Sequence, residues 1–380
     1  MVFYLVVGPG ILIWVTILLL PWRPWSTRER LSAELAEPLT DLSAVTVLIP
    51  ARNEADTIAG TMEALNRQGA GLKVVLIDDQ SKDATAEIAG QTSRQELTII
   101  SGQELPEGWA GKLWALEQGR SRVRTPFILL LDADIQIAPG VISALLKKME
   151  TDSYDLVSIM AHLRMRTFWE NLLIPAFIYF FKLLYPFALG NSKQNKFGVA
   201  AGGCILLRRD ALEKIGGFGA LRGALIDDCT LARKFKEAGF STWTGLSHDV
   251  VSHRGYGNLR SIWNMVARSA FTQLHYSTAA LLGCTVLMLS MFLATPLGIF
   301  AHSRFLRTAA LLGCVAMVLT YLPTLIYYRK SPLFAFGLPL SGLLYLAMTW
   351  TSALCYWRGK RSEWKGRVYE NAPRSNFSCR

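Results

Sequence analysis

Apolar positions fall into two kinds of run along this chain. Short runs, each closing on polar residues, fill the middle: AVTVLIP (44–50), KVVLIDD (73–79), LTII and FILLLDAD. Their length and β-branched content predict strands. Residues 54–68 and 83–90, lying between them, predict helices. Such strand–helix alternation argues for an α/β domain on a parallel sheet. Long runs flank this region. Residues 2–20 carry no charge, and 276–301, 308–328 and 333–357 are long and apolar enough to cross a bilayer.

PWRPWSTRERL follows the first long run, with tryptophans suited to an interface and arginines suited to the cytoplasmic side. That run lacks the basic start and small-residue cleavage site of a signal peptide, which predicts an uncleaved anchor. Residues 168–190, FWENLLIPAFIYFFKLLYPFALG, are interrupted by Glu170, Asn171, Lys182 and two prolines. They predict a helix lying in the membrane interface, with a buried core helix as the alternative. The expected organisation is an N-terminal anchor (1–22), an α/β domain (41–272) containing the interfacial helix, C-terminal membrane helices (275–357) and a basic tail (358–380).

Composition sharpens this picture. Of 380 residues, 51% are hydrophobic and only 18% charged, which is too apolar for a plain soluble domain. The net charge of +11 fits contact with anionic lipid headgroups. No basic-aromatic array or nucleic-acid motif accompanies it, so nucleic acid is not an expected partner. The six cysteines form no CxxC pair, which argues against a disulfide framework or a zinc site. The tail from Arg358 holds seven Lys/Arg against two Glu. Three crossings would place it opposite a cytoplasmic α/β domain, whereas its charge favours the cytoplasmic side. A re-entrant segment would reconcile the two.

Parallel sheets bind ligands at the carboxyl ends of their strands, and the polar residues gather at those positions. Arg52, Asn53 and Glu54 follow the first strand. Asp78 and Asp79 close the second, and Asp132 and Asp134 follow FILLL. Neither GxGxxG nor GxxxxGK[ST] is present, so no glycine loop is set to cradle phosphate. Carboxylates repel a diphosphate directly but hold one through a divalent cation such as Mg²⁺ or Mn²⁺. Helix capping is the plainer role open to Asp134.

VTVLIPARNEADTI, VVLIDDQSKDAT, LLLDADI, AAGGCILLRRDALEKIGGF and LIDDCTLARKFKEAGF occur in this order. Together they resemble the inverting family 2 glycosyltransferases of GT-A fold. PWRPWSTRERL, GWAGKLWALEQG, PAFIYFFKLLYPF and MVARSAFTQLHYS further resemble the bacterial hopene-associated glycosyltransferases. The resemblance implies a GT-A domain between membrane helices on the inner membrane, with its catalytic domain cytoplasmic. The implied reaction moves one sugar from a UDP-sugar to a hydroxyl of a membrane lipid, hopanoid-related. A polyprenyl phosphate or a ceramide-like lipid is the alternative acceptor. A non-catalytic nucleotide- or lipid-binding protein is the alternative of another class.

By the same resemblance, Ala51, Arg52 and Glu54 touch the nucleoside, Asp79 accepts from uracil and Asp78 supports its loop. Lys112 lies near the sugar nucleotide. Asp132 and Asp134 form the DxD pair that holds Mg²⁺ or Mn²⁺, with Asp132 also facing substrate. His253 occupies a third-ligand position, and Gly202 and Gly203 pass close to substrate. Asp228 matches the general base, and Arg268 is a candidate for the diphosphate or the acceptor. The QxxRW element of processive members is absent, which implies one sugar per cycle.

Overall fold

A computed structural model describes residues 2–33, 41–224, 227–359, 363–364 and 367–368. Most of the basic tail therefore lies outside the described residues. The chain divides into two compact units, one of residues 29–164, 190–254 and 361–380, the other of residues 1–28, 165–189 and 255–360.

The first unit is built on a sheet. Among the described residues its strands are β1 (Val45–Ala51), β2 (Lys73–Asp78), β3 (Glu96–Ser101), β4 (Phe127–Leu131), β5 (Ile135–Ile137), β6 (Leu156–His162), β7 (Cys204–Arg208) and β8 (Thr242–Ser252). They lie in the order β3-β2-β1-β4-β7-β6-β8-β5. β3, β2, β1 and β4 run parallel. β7 is antiparallel to both β4 and β6, and β6 runs parallel to β8. The reversal of β7 brings its beginning, not its end, to the edge where β1, β2, β4 and β8 finish.

The central strands β1 and β4 are buried at every position, as continuous apolar runs require when both faces are covered. Pro50 lies inside β1, where a missing N–H would break a ladder. Pairing of β1 with β4 stops at Leu48, so that side makes no demand on Pro50. The sheet is flanked by α2 (Ile58–Asn66), α3 (Thr85–Thr92), α4 (Gly111–Arg120) and α5 (Val141–Thr151). The helix expected over 54–68 is shorter than its pattern predicts. Residues 54–57 form a turn in which the Glu54 carbonyl accepts from the Thr57 and Ile58 amides, and Asn53 adopts φ +51°. That turn leaves the polar cluster after β1 outside the helix.

The second unit is helical. α1 (Val2–Leu19) opens the chain, and α6 (Phe168–Leu184) and α7 (Phe187–Gly190) begin and close the excursion between β6 and β7. α8 (Arg209–Lys214) and α9 (Asp227–Glu237) belong to the sheet unit. α10 (Leu259–Ala267) and α11 (Ala270–Gln273) lead into three helical segments, 278–300, 304–327 and 332–357, each long and apolar enough to cross a membrane. The first joins α12 (Thr278–Leu289) to α13 (Thr295–Leu297) through a π segment. The second is α14 (Arg304–Tyr327), and the third contains α15 (Leu338–Trp357). Within α1, the apolar helical stretch Val6–Leu19 is shorter than that length.

α6, expected in the membrane interface, packs within the helical unit. Tyr179 Oη pairs with Thr320 Oγ1 at 2.8 Å, and Tyr345 Oη donates to the Leu173 carbonyl at 2.9 Å. Its start is fixed by a capping box between Thr167 and Glu170. The Glu170 carboxylate also accepts from the amides of Arg166 and Tyr256.

Candidate active site

The sheet edge where β1, β2, β4 and β8 end, and β7 begins, collects the polar residues. Three backbone bonds align the pieces. The Asp79 amide donates to the Ala51 carbonyl at 2.8 Å, the Asp132 amide to the Gly203 carbonyl at 3.1 Å, and the His253 amide to the Asp134 carbonyl at 3.0 Å. Ala51 ends β1, and Arg52 reaches across to donate through Nη1 to the Asp79 carbonyl at 2.5 Å. Asp79 is fully buried. Asp78 ends β2, and its Oδ1 accepts from the Ser81 amide at 3.1 Å. The two strand-end loops are thus locked together by their own backbone and one guanidinium.

At the neighbouring position, Lys112 on α4 pairs with Asp132, Nζ to Oδ1 at 2.6 Å, and lies 3.4 Å from the Gly202 carbonyl. Burial alone lowers the Lys112 ammonium. The charges of Asp132, Asp227 and Asp228 outweigh it, so the ammonium is held above its ordinary value. Asp132 is raised by burial first and by the charge of Asp134, against the opposing pull of Lys112.

Asp227 and Asp228 occupy the first turn of α9, where acids suit the helix dipole. Burial, and then the Asp227 charge, push Asp228 up to about 7. The amides of Cys229 and Gly202 and the charge of Lys112 pull the other way. The Cys229 amide reaches Asp228 Oδ1 at 2.7 Å. Beneath these groups an apolar cleft is walled by Leu113, Leu116, Leu130, Ile205, Phe218 and Leu231. A Cβ built on Gly202 would sit 3.4 Å from both Asp228 Oδ2 and Lys112 Nζ. Glycine here keeps open the space between Asp228 and Lys112. At Gly203 a Cβ would press on Ile135 at 3.2 Å, a packing constraint.

Sequence reasoning missed Arg254. Its Nε lies 3.2 Å from Asp134 Oδ2 and its Nη2 2.8 Å from Glu54 Oε1. Ser252 Oγ adds a 2.8 Å bond to the same oxygen of Asp134. The sequence carries a signal for it only once β8 is known to pair with β5, Ser252 opposite Ile135. His253 is exposed and reaches Asp134 through its amide. Arg268 lies in the helical unit, where it caps α10.

Among the described residues no three His, Cys, Asp or Glu side chains already form a metal cage. The donor chemistry nevertheless suits a hard cation. Asp132 and Asp134 each commit one oxygen to a protein partner and keep the other without a hydrogen bond among the described residues. One or two carboxylates completed by phosphate and water is the usual set for Mg²⁺.

Residues 46–216 match the sequence profile of Glycosyl transferase family 2, so this stretch is a glycosyl transferase family 2 domain. The mixed sheet of the whole unit, parallel but for β7 and β5 and extending beyond the matched stretch to β8, has the GT-A architecture. Among curated proteins, 4,4'-diaponeurosporenoate glycosyltransferase of Staphylococcus haemolyticus (strain JCSC1435) is 29% identical over 25% of this chain and 25% of its own length. Undecaprenyl-phosphate 4-deoxy-4-formamido-L-arabinose transferase of Shewanella sediminis (strain HAW-EB3) is 31% identical over 31% of this chain and 36% of its own. The chain thus spans about a quarter to a third of the length of these relatives. Among solved structures, the mannosyltransferase PcManGT from Pyrobaculum calidifontis, in complex with GDP-Man and Mn²⁺, is 18% identical with a TM-score of 0.49, over 90% of this chain and 96% of that one.

Proposed function

We propose that the protein is a membrane-bound, inverting glycosyltransferase. It moves one sugar from a UDP-sugar to a hydroxyl of a membrane lipid, hopanoid-related, with residues 1–22 and 275–357 serving the membrane and 41–272 the chemistry. The observation that carries this reading is Asp228: a carboxylate held near 7 over an apolar cleft, beside Lys112 of the stretch that matches glycosyl transferase family 2. Such a group is suited to take a proton at neutral pH.

Asp228 accepts the proton of the acceptor hydroxyl while that oxygen bonds to the anomeric carbon. The bond from that carbon to the diphosphate breaks, and the nucleoside diphosphate departs with the electron pair. One base and a single displacement invert the configuration. Ala51, Arg52, Asp78 and Asp79 hold the nucleoside end. Lys112 faces the developing charge on the diphosphate, and Arg268 is assigned to diphosphate or acceptor. Asp132 and Asp134, with His253 beside them, would hold Mg²⁺ or Mn²⁺. Such a cation, when bound, neutralises phosphate charge.

The three apolar helices support a membrane location; the cytoplasmic face of the inner membrane is assigned from the family resemblance. A relative named for undecaprenyl phosphate favours polyprenyl phosphate as the second acceptor reading. Purified protein incubated with a panel of UDP-sugars and total bacterial lipid, products read by mass, separates the two. Transfer in wild type, with a loss of about 10²–10⁴-fold in Asp228→Asn and UDP binding kept, is the expected result. No transfer to any lipid refutes the enzyme reading.

A further inference from the structure

Ser252 ends β8, and Arg254 follows two residues later. Both meet the same oxygen of Asp134, while the far end of the guanidinium meets Glu54. The two carboxylates it joins are nearly closed off, with side chains 9% and 11% exposed. A carboxylate so buried needs a charged partner. A planar guanidinium can serve two at once, which an ammonium cannot do in the same geometry.

The bridge leaves Asp134 Oδ1 without a hydrogen bond among the described residues. Asp134 can therefore take a divalent cation without giving up Arg254. The two positive charges would then share one carboxylate in a poorly solvated place, where like charges repel strongly. Lys112 stands in the same relation to Asp132. A divalent cation arriving alone meets acids already neutralised; one arriving with a diphosphate brings compensating negative charge.

We infer that Arg254 is the resident counter-cation of the carboxylate pocket, holding down its affinity for a divalent cation until a nucleoside diphosphate is present. The inference rests on the proposed assignment of Asp134 as a metal ligand. It makes metal and nucleotide bind as a pair, and by linkage each strengthens the other by the same factor.

The test measures Mn²⁺ binding to the full chain in detergent micelles, by the paramagnetic resonance signal of free Mn²⁺, with and without UDP. Wild type should bind Mn²⁺ weakly alone, and UDP should tighten it about tenfold or more. Arg254→Met should tighten binding of Mn²⁺ alone by about tenfold and shrink the effect of UDP equally. Arg254→Lys keeps a cation and should stay within about threefold of wild type. Glu54→Gln removes one of the two carboxylates that share the guanidinium and should weaken Mn²⁺ binding in the absence of UDP. The Glu54→Gln result decides the matter if Arg254→Met does not fold. Binding of Mn²⁺ alone that is no tighter in Arg254→Met, or tighter in Glu54→Gln, overturns the inference. If wild type binds Mn²⁺ with UDP yet both variants match it, only the role of Arg254 fails. If wild type binds no Mn²⁺ even with UDP, the metal assignment fails with it.

Discussion

Asp227→Asn isolates one influence on the proposed base. Asp228 stands at about 7 because burial raises it most and the adjacent Asp227 charge raises it further. Replacing that charge with an isosteric amide leaves burial and the opposing amide bonds in place. Neighbouring carboxylate charges move a carboxyl by about 1–3 units, and the lower figure suits residues that are only partly buried. A fall of about one unit is worth about 1.4 kcal/mol in favour of the ionised form. At pH 6 the ionised fraction would rise from about one in eleven to about one half, and kcat/KM by about fivefold. At pH 8 both proteins are almost fully ionised and should match. The assay is the pH profile of kcat/KM with saturating metal. An acidic limb that stays in place, or moves to higher pH, would refute the electrostatic reasoning.

The remaining expectations follow from the same cluster. Asp228→Asn should unfold at a higher temperature than wild type at pH 8 and at the same temperature below pH 4. A carboxyl raised in the folded state favours folding below its ordinary value near 3.8 and loses that contribution as pH passes about 7; circular dichroism melts at both pH values check this. Lys112→Met leaves Asp132 without its 2.6 Å partner. Because both side chains keep some solvent contact, we expect a loss of about 1–3 kcal/mol in denaturant unfolding, together with weaker UDP binding by calorimetry. Gly202→Ala places a methyl where nothing in the protein lies closer than 3.4 Å. Its melting temperature should stay within about 2 °C of wild type while kcat/KM falls about tenfold or more, because the methyl fills the gap between Asp228 and Lys112.

Much of the sheet could be read directly. AVTVLIP, KVVLIDD and FILLLDAD gave β1, β2 and β4 to within a few residues, since strands covered on both faces need unbroken apolar runs. The segments expected at 276–301, 308–328 and 333–357 match the helical stretches at 278–300, 304–327 and 332–357. Local pattern failed where distant pairing decides the outcome. Residues 54–57 have helical spacing, yet their turn is stabilised by the loop after β2: the Glu54 amide donates to Thr85 and the Ala55 amide to Asp83. Arg254 follows β8 like any surface arginine, and only the pairing of β8 with β5 gives it Asp134. Nothing in the spacing of α6 distinguishes a helix on a bilayer surface from one buried among others. The hydroxyl bonds of Tyr179 and Tyr345 show only that α6 packs against α14 and α15.

The pairing of Asp134 with Arg254 joins residues 120 positions apart. On a ribosome adding about 5–20 residues per second, the acid emerges some 6–24 s before its guanidinium. Throughout that interval the nascent β4–β5 region carries an unneutralised carboxylate destined for a closed interior, while the stretch that becomes α6 and α7 is made. The sheet can finish only after that detour, so a chain truncated before residue 254 should remain soft at the rim that β5 and β8 complete.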